Sequence, residues 1–237
     1  MRPADLTTTI ADNLQRVRTR IDAAARAAGR DPARVRLIAV SKHQPAAAVA
    51  AAVQAGQHVF GESTVQEAVD KIQQLADPAL EWHFIGHLQS NKAKFLPGRV
   101  HWLHSLTTLS LAERLQRHLA AAGVHLDTLI EVNITRDPHK HGVAPEALEP
   151  LLEQLLRTPL PDLRLRGLMA IGPQDGNGRE LRMAFAALRR LAEDCAQRYA
   201  LPDFTELSMG MSGDYAEAIA EGATLVRIGT AIFGTRG

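Results

Sequence analysis

Eight short runs rich in apolar and β-branched residues alternate with stretches of helical periodicity along almost the whole chain. The runs are Val35 to Val40, His58 to Gly61, Trp82 to Gly86, Val100 to Ser105, Leu129 to Asn133, Leu165 to Ile171, Glu206 to Met209 and Leu225 to Ile228. Between them lie the helical stretches Ala46 to Ala55, Thr64 to Leu75, Ser90 to Phe95, Leu109 to Ala121, Pro145 to Arg157, Gly178 to Tyr199 and Tyr215 to Ala220. Each strand must return to the same end of the sheet through a crossover, so the strands pair in parallel. The strand count favours closure into a barrel over an open doubly wound sheet. The tail after Ile228 is too short for a last outer helix. A leading stretch, Leu6 to Ala28, has Leu6, Ile10, Leu14, Val17, Ile21, Ala24 and Ala28 three or four residues apart with Gly29 as a stop signal, and reads as an amphipathic helix. It feeds the first strand, which neighbours the last in a closed barrel, and so is expected to fill the gap. The expected fold is α/β, a (β/α)8 TIM barrel with an extra amino-terminal helix.

Composition narrows the class. With 237 residues, 46% of them hydrophobic, the chain can bury one large core. No run of Pro, Gly, Ser or like charge marks a linker, so residues 1–237 are expected to form a single domain. Lys and Arg number 27 against 26 Asp and Glu, which leaves no basic footprint for nucleic acid or a membrane surface. Met1 to Arg20 is interrupted by Asp5, Asp12, Arg16 and Arg18 and lacks the apolar centre of a signal peptide. The one cysteine, Cys195, has no partner for an internal disulfide and sits in a helical pattern where core packing is its ordinary use. A cytoplasmic monomer is expected.

Chemistry enters where the strands end, because the active sites of such barrels lie at the carboxyl ends of the strands. The first run, Leu37-Ile38-Ala39-Val40-Ser41-Lys42, closes on a lysine. An amine delivered by a buried strand suits a carbonyl-bearing cofactor, with which it forms a Schiff base. A lone strand-end lysine is more often a solvated rim charge. The far end of the chain adds Leu207 to Ser212 and Val226 to Thr230, whose small residues, hydroxyls and free N–H groups are the materials of a phosphate cradle. In barrels, phosphate is commonly held by the loops after strands seven and eight. Other polar residues at the expected rim are Glu62, Ser63, His87, Gln89 and Asn133. Arg227 alternates with Val226 and Ile228, so it points to the opposite side from them, into the lumen beside the first strand. A lysine, an arginine and an anion cradle at one rim are what pyridoxal phosphate requires.

Blander uses exist for several of these residues. Ser208 and Ser212 are natural turn residues around Gly210 and Gly213, and Gly229 with Thr230 makes a tight strand exit. Among ten histidines, His139 with His141 and His101 with His104 come nearest to clusters, but without metal-ligand spacing they are expected to be solvated loop and strand-edge residues. His83 and His87 are expected near the rim, where a structural hydrogen bond is their commoner fate.

The chain resembles the pyridoxal phosphate homeostasis proteins, which share a fold with the amino-terminal barrel of bacterial alanine racemase. The matching stretches are AVSK at Ala39 to Lys42, GE-x-x-VQE at Gly61 to Glu67, WHFIGHLQSNK at Trp82 to Lys92, EVNI at Glu131 to Ile134, LRLRGLMAI at Leu163 to Ile171, LSMGMSGDYAEAI at Leu207 to Ile219 and GATLVRIGTAIFG at Gly222 to Gly234. The resemblance implies that Lys42 holds the cofactor as an aldimine and that Arg227 faces the pyridine nitrogen. It implies too that Ser208, Met209 and Gly210, with Gly229 and Thr230, line the phosphate. The family usually reads GEN where this chain has Gly61-Glu62-Ser63. Ser63 is shorter than the asparagine expected beside the phenolic oxygen, and its hydroxyl reaches that atom only through water.

Two functions follow from that site. One is a carrier that holds pyridoxal phosphate on Lys42 in intracellular cofactor homeostasis and passes it to apo-enzymes. The other is an amino-acid racemase or related α-carbon proton-transfer enzyme. An arginine does not readily protonate the ring nitrogen, so a racemase would need bases on both faces of its substrate. Tyr199 is expected on a helix and Tyr215 at a helix start, and no further domain is expected to supply another tyrosine. The carrier is therefore the leading expectation.

Overall fold

The computed structural model describes residues 3–234. The chain ends at 1–2 and 235–237, included in the single expected domain, lie outside the described residues. Eight strands run in order, β1 (Arg36–Val40), β2 (Val59–Glu62), β3 (Glu81–Phe84), β4 (Trp102–Leu106), β5 (Leu126–Glu131), β6 (Leu163–Met169), β7 (Glu206–Ser208) and β8 (Leu225–Ile228). Each pairs in parallel with the next, and β8 closes on β1 with Ile38 opposite Arg227. The helices are α1 (Pro3–Ala27), α2 (Ala46–Gln54), α3 (Val65–Leu75), α4 (Leu109–Ala122), α5 (Leu148–Arg157), α6 (Gly178–Arg198), α7 (Tyr215–Ala220) and α8 (Thr230–Phe233). The fold is the (β/α)8 barrel that the alternation predicts.

Several starts are sharpened by side chains in the crossovers. Thr64 caps α3 by accepting from the Glu67 N–H, Thr108 caps α4 by accepting from the Leu111 N–H, and Asn177 with Glu180 forms a reciprocal box at α6. The stretch Ser90–Phe95 is a 3-10 helix, and Pro145–Ala147 is a 3-10 turn leading into α5. β5 and β6 both begin before their apolar runs, because Asp127, Arg164 and Arg166 are charged residues inside strands. Their ladder shifts register between Thr128 and Leu129. At that shift Gly167, the β6 partner of Leu129, has φ +149°, and a Cβ there would lie 1.9 Å from the Glu206 carbonyl oxygen. Only glycine admits so close an approach of β6 to β7.

The leading helix fills the gap left by the four-residue α8, packing against α2, α7 and α8. Polar side chains fix its seat at the carbonyls where other elements end. Asn13 donates to the Ile232 carbonyl at 2.8 Å, Arg18 to the carbonyls of Ala55 and Gly56, and Arg30 to that of Ile219. The apolar stripe of α1 (Ile10, Leu14, Val17, Ile21) is buried in the large outer core between helices and sheet. A second, smaller cluster fills the lumen: Ile38, Trp102, Leu129, Met169 and Leu225, with Val59 packed against it. Strand parity separates the two, since Ala39, Leu168, Val226 and Ile228 belong to the outer core.

Candidate functional site

Lys42 follows β1 in a turn whose neighbours on both sides are held from outside the barrel. Ser41, fully buried, donates its hydroxyl to Glu62 at 2.6 Å and offers its carbonyl to the Lys71 ammonium at 2.6 Å. Lys71 also reaches Glu62 at 2.6 Å and Glu67 at 3.1 Å. Glu67 in turn accepts the His43 N–H at 2.7 Å and faces the His43 ring at 3.1 Å. His43 has φ +62°, a conformation costly for a residue with a Cβ, and the Glu67 contacts hold it there. Burial pushes the Glu62 carboxyl upward, opposed by the Lys71 and Ser41 hydrogen bonds. Glu62 ends β2 as expected, and its side chain turns toward α3, where it supports the Lys42 turn. Lys42 itself is half-buried and, among the described residues, has no hydrogen-bond or ion-pair partner.

Lys42 shares a narrow cleft with Gln44, Gly229, Thr230 and Phe233. A Cβ at Gly229 would come within 3.0 Å of the Val40 carbonyl oxygen, so the end of β8 is pressed against the end of β1. Gly210 ends the β7 side with φ +93°, and a Cβ there would lie 2.7 Å from the Ala218 Cβ. The small residue lets α7 close onto the strand end. Among the described residues the N–H groups of Gly210, Gly229 and Thr230 have no protein acceptor, and the Ser212 hydroxyl has no protein partner.

Arg227 lies inside the lumen, 5% exposed, with Nη1 donating to Ser208 Oγ at 2.5 Å and Nη2 to the Ala170 carbonyl at 2.9 Å. Burial lowers its pKa to about 10, with the carboxylates of Asp214 and Glu131 opposing the shift. Glu131 ends β5 and is 5% exposed. Burial raises its carboxyl to about 7, with Arg227 pulling the other way. Behind Ser208 the lumen continues as a polar string through His104 and His83 to Glu81. His83 and His104 are fully buried, which corrects the expected rim position of the first and the solvated position of the second. The sequence signal for them was parity: His83 alternates with Glu81, and His104 with Trp102, on one face of their strands, a pattern that reads as ordinary strand edge until the barrel is closed.

The remaining residues named from sequence are more dispersed. Met209 is buried in the outer core and its N–H donates to the Leu225 carbonyl at 3.1 Å. Ser208 sits in the lumen on Arg227 and His104. Ser63 lines a different cavity of about 470 Å³ with Thr64, Gln66, His87, Gln89 and Lys92. The Gly86 backbone presses on it, since a Cβ at Gly86 would lie 2.0 Å from the Ser63 carbonyl oxygen. Asn133 lies past the end of β5, where its side chain bonds the backbone of Asp137 and Lys140. A cavity of about 650 Å³ is lined by residues at the amino ends of β6 and β7 such as Leu163, Arg164, Pro202 and Phe204, away from the Lys42 rim. His87 stacks on His141 at 4.1 Å, and among the described residues no group of three His, Cys, Asp or Glu could hold a metal ion. No described helix is long and apolar enough to cross a membrane.

The closed parallel barrel is matched over residues 12–237 by the family model described as alanine racemase, N-terminal domain. Among curated proteins, the pyridoxal phosphate homeostasis protein of Pseudomonas aeruginosa is 48% identical over 228 residues, covering 96% of each chain, and that of Escherichia coli is 45% identical over 237 residues, covering 96% of this chain and 97% of its own. The PipY protein of Synechococcus elongatus, solved with pyridoxal phosphate bound, superposes with a TM-score of 0.83 at 40% identity, covering 95% of this chain and all of its own. The chain belongs to the pyridoxal phosphate homeostasis protein family.

Proposed function

We propose that this protein binds pyridoxal 5'-phosphate covalently and reversibly on Lys42 and carries it in intracellular cofactor homeostasis, releasing it to apo-enzymes that need it. The observation that carries the reading is Lys42 itself, an amine without a partner among the described residues, set in one cleft with Gly229 and Thr230. The residues present fit the cofactor. Free N–H groups at Gly210, Gly229 and Thr230, with the Ser212 hydroxyl, suit a phosphate, and Arg227 offers donors to a ring nitrogen from within the lumen. Ser208 then serves Arg227, and Met209 contributes only packing. Ser63, which lines the neighbouring cavity with His87 and Gln89, would reach the phenolic oxygen only through water. When bound, the cofactor supplies a reactive aldehyde, and the protein's task is to hold that group away from other amines.

The carrier reading is supported over a racemase by the tyrosines. Tyr199 donates its hydroxyl to Glu153 at 3.0 Å, and Tyr215 packs against the outer core beside Gly210. Arg227, an obligate donor, keeps a ring nitrogen unprotonated and the ring a poor electron sink. The test is direct. Purified protein loaded with pyridoxal phosphate should absorb in the near-visible range, Lys42→Ala should lose the band, and reduction followed by mass spectrometry should locate the adduct on Lys42. An adduct on Lys92, Lys94 or Lys140 would overturn the assignment.

A further inference from the structure

The lumen polar string is continuous from one mouth of the barrel to the other, and its hydrogens can be assigned from both ends. At the β8 end a guanidinium only donates, so Ser208 Oγ accepts from Arg227 and its own hydrogen is free for His104 Nδ1, 2.8 Å away. At the amino end of β3 an ionised carboxylate only accepts, so His83 Nε2 carries the hydrogen it shares with Glu81 at 2.6 Å. Burial alone would raise Glu81, yet the His83 hydrogen bond and the charges of His83 and Arg36 hold it down to about 2. Arg36 meets the same oxygen at 2.8 Å. A neutral His83 then accepts at Nδ1, and the 2.8 Å contact with His104 is filled by the hydrogen on His104 Nε2. The carboxylate end thus fixes the tautomer of each neutral ring, and a Ser208 hydroxyl donating to His104 Nδ1 completes the chain. Burial keeps both rings neutral, holding His83 to about 4 against the pull of Glu81 and His104 well below its ordinary value. Trp102 stacks on His83 at 5.5 Å and stands edge-on to His104, closing the string off from water with the lumen apolar cluster.

We infer that Ser208, His104, His83 and Glu81 are positioning residues for Arg227: a one-way chain of donors, pointing from β8 to the opposite mouth, that fixes the plane and the free donors of the guanidinium. The inference rests on the carrier reading for the identity of what Arg227 faces. Without such a chain, the nearest carboxylates, Glu131 and Asp214, would draw the guanidinium toward themselves, since both attract it electrostatically. Anchored through one hydrogen each of Nη1 and Nη2, Arg227 is held in place and keeps its other N–H donors for a ligand acceptor. The ligand group opposite must therefore be an acceptor, which fits an unprotonated ring nitrogen.

The test begins with the cofactor-free wild-type protein, labelled with nitrogen-15. Imidazole spectra should show His83 and His104 both neutral with the hydrogen on Nε2 at pH 7. An Nδ1–H tautomer for either ring overturns the chain, and this measurement needs no variant. Ser208→Ala then cuts the one link between the rings and Arg227, while Ser208→Thr keeps the hydroxyl. Resolved guanidinium N–H signals of Arg227 in the wild type should average in the alanine variant and return in the threonine variant. Pyridoxal phosphate should bind the alanine variant roughly three- to tenfold more weakly, the loss expected for one hydrogen bond, with a displaced absorption band. Unchanged guanidinium signals together with unchanged affinity and band in Ser208→Ala would overturn the positioning role. Wild-type protein that takes up no pyridoxal phosphate would overturn the carrier reading instead, and the tautomers and guanidinium signals, read without cofactor, would still decide the chain.

Discussion

Replacing Glu131 with glutamine should change how the stability of the cofactor-free protein depends on pH. Burial raises this carboxyl from 4.5 to about 7, against the pull of Arg227. A carboxyl held higher in the folded state than in the unfolded chain binds its proton more tightly when folded. Below about pH 4.5 both states are protonated and Glu131 costs nothing, whereas above about pH 7 both are ionised and the full penalty is present. Between those limits stability falls as pH rises, by about 1.4 kcal/mol for each pH unit of displacement, or roughly 3 kcal/mol in all. His83 and His104 act in the opposite sense: depressed by burial, they remove stability as pH falls below about 6.5, His83 doing so down to about 4. The wild-type profile is thus a composite, and the difference between Glu131→Gln and wild type isolates the carboxyl. Urea unfolding at pH 4.5, 5.5, 6.5 and 7.5 should show that difference growing in favour of glutamine by about 3 kcal/mol. A difference constant to within about 0.5 kcal/mol, the scatter ordinarily tolerated between independent sites, would refute the reasoning.

Other perturbations probe the supports of the site. Lys71→Met leaves Glu62 buried without its cation and should destabilise the protein by about 3–5 kcal/mol in denaturant unfolding, with Glu62→Gln in the same chain recovering part of the loss. Gly210→Ala places a Cβ 2.7 Å from that of Ala218 at a left-handed φ. It should cost about 1–3 kcal/mol of stability and weaken phosphate retention, read by melting temperature and cofactor titration. Arg227→Glu exchanges an obligate donor for a carboxylate that favours a protonated ring. If it folds with cofactor bound, its absorption should change and α-proton exchange with added amino acids in deuterated water should quicken; an unchanged spectrum and exchange rate would remove Arg227 from the ring.

The sequence by itself determined the architecture, because side-chain periodicity is a local property. Runs of apolar residues spaced by helical stretches of suitable length leave parallel closure as the economical burial, and the structure has each of the eight strands where a run occurs. Parity likewise set the face of Arg227, and the abrupt end of the first run marked Lys42. What remained unreadable was which residues meet across the lumen. His83, His104, Ser208 and Arg227 come from four different strands, β3, β4, β7 and β8, and the stagger of a closed barrel decides which of their levels coincide. Glu62 and Lys71 were equally opaque, since a strand-end carboxylate can turn to the rim or to the helix behind it. The tertiary structure chose the helix, because a lysine buried at α3 has no other partner for its charge than Glu62, Glu67 and the Ser41 carbonyl, and leaving it unpaired would cost more than the turn toward it.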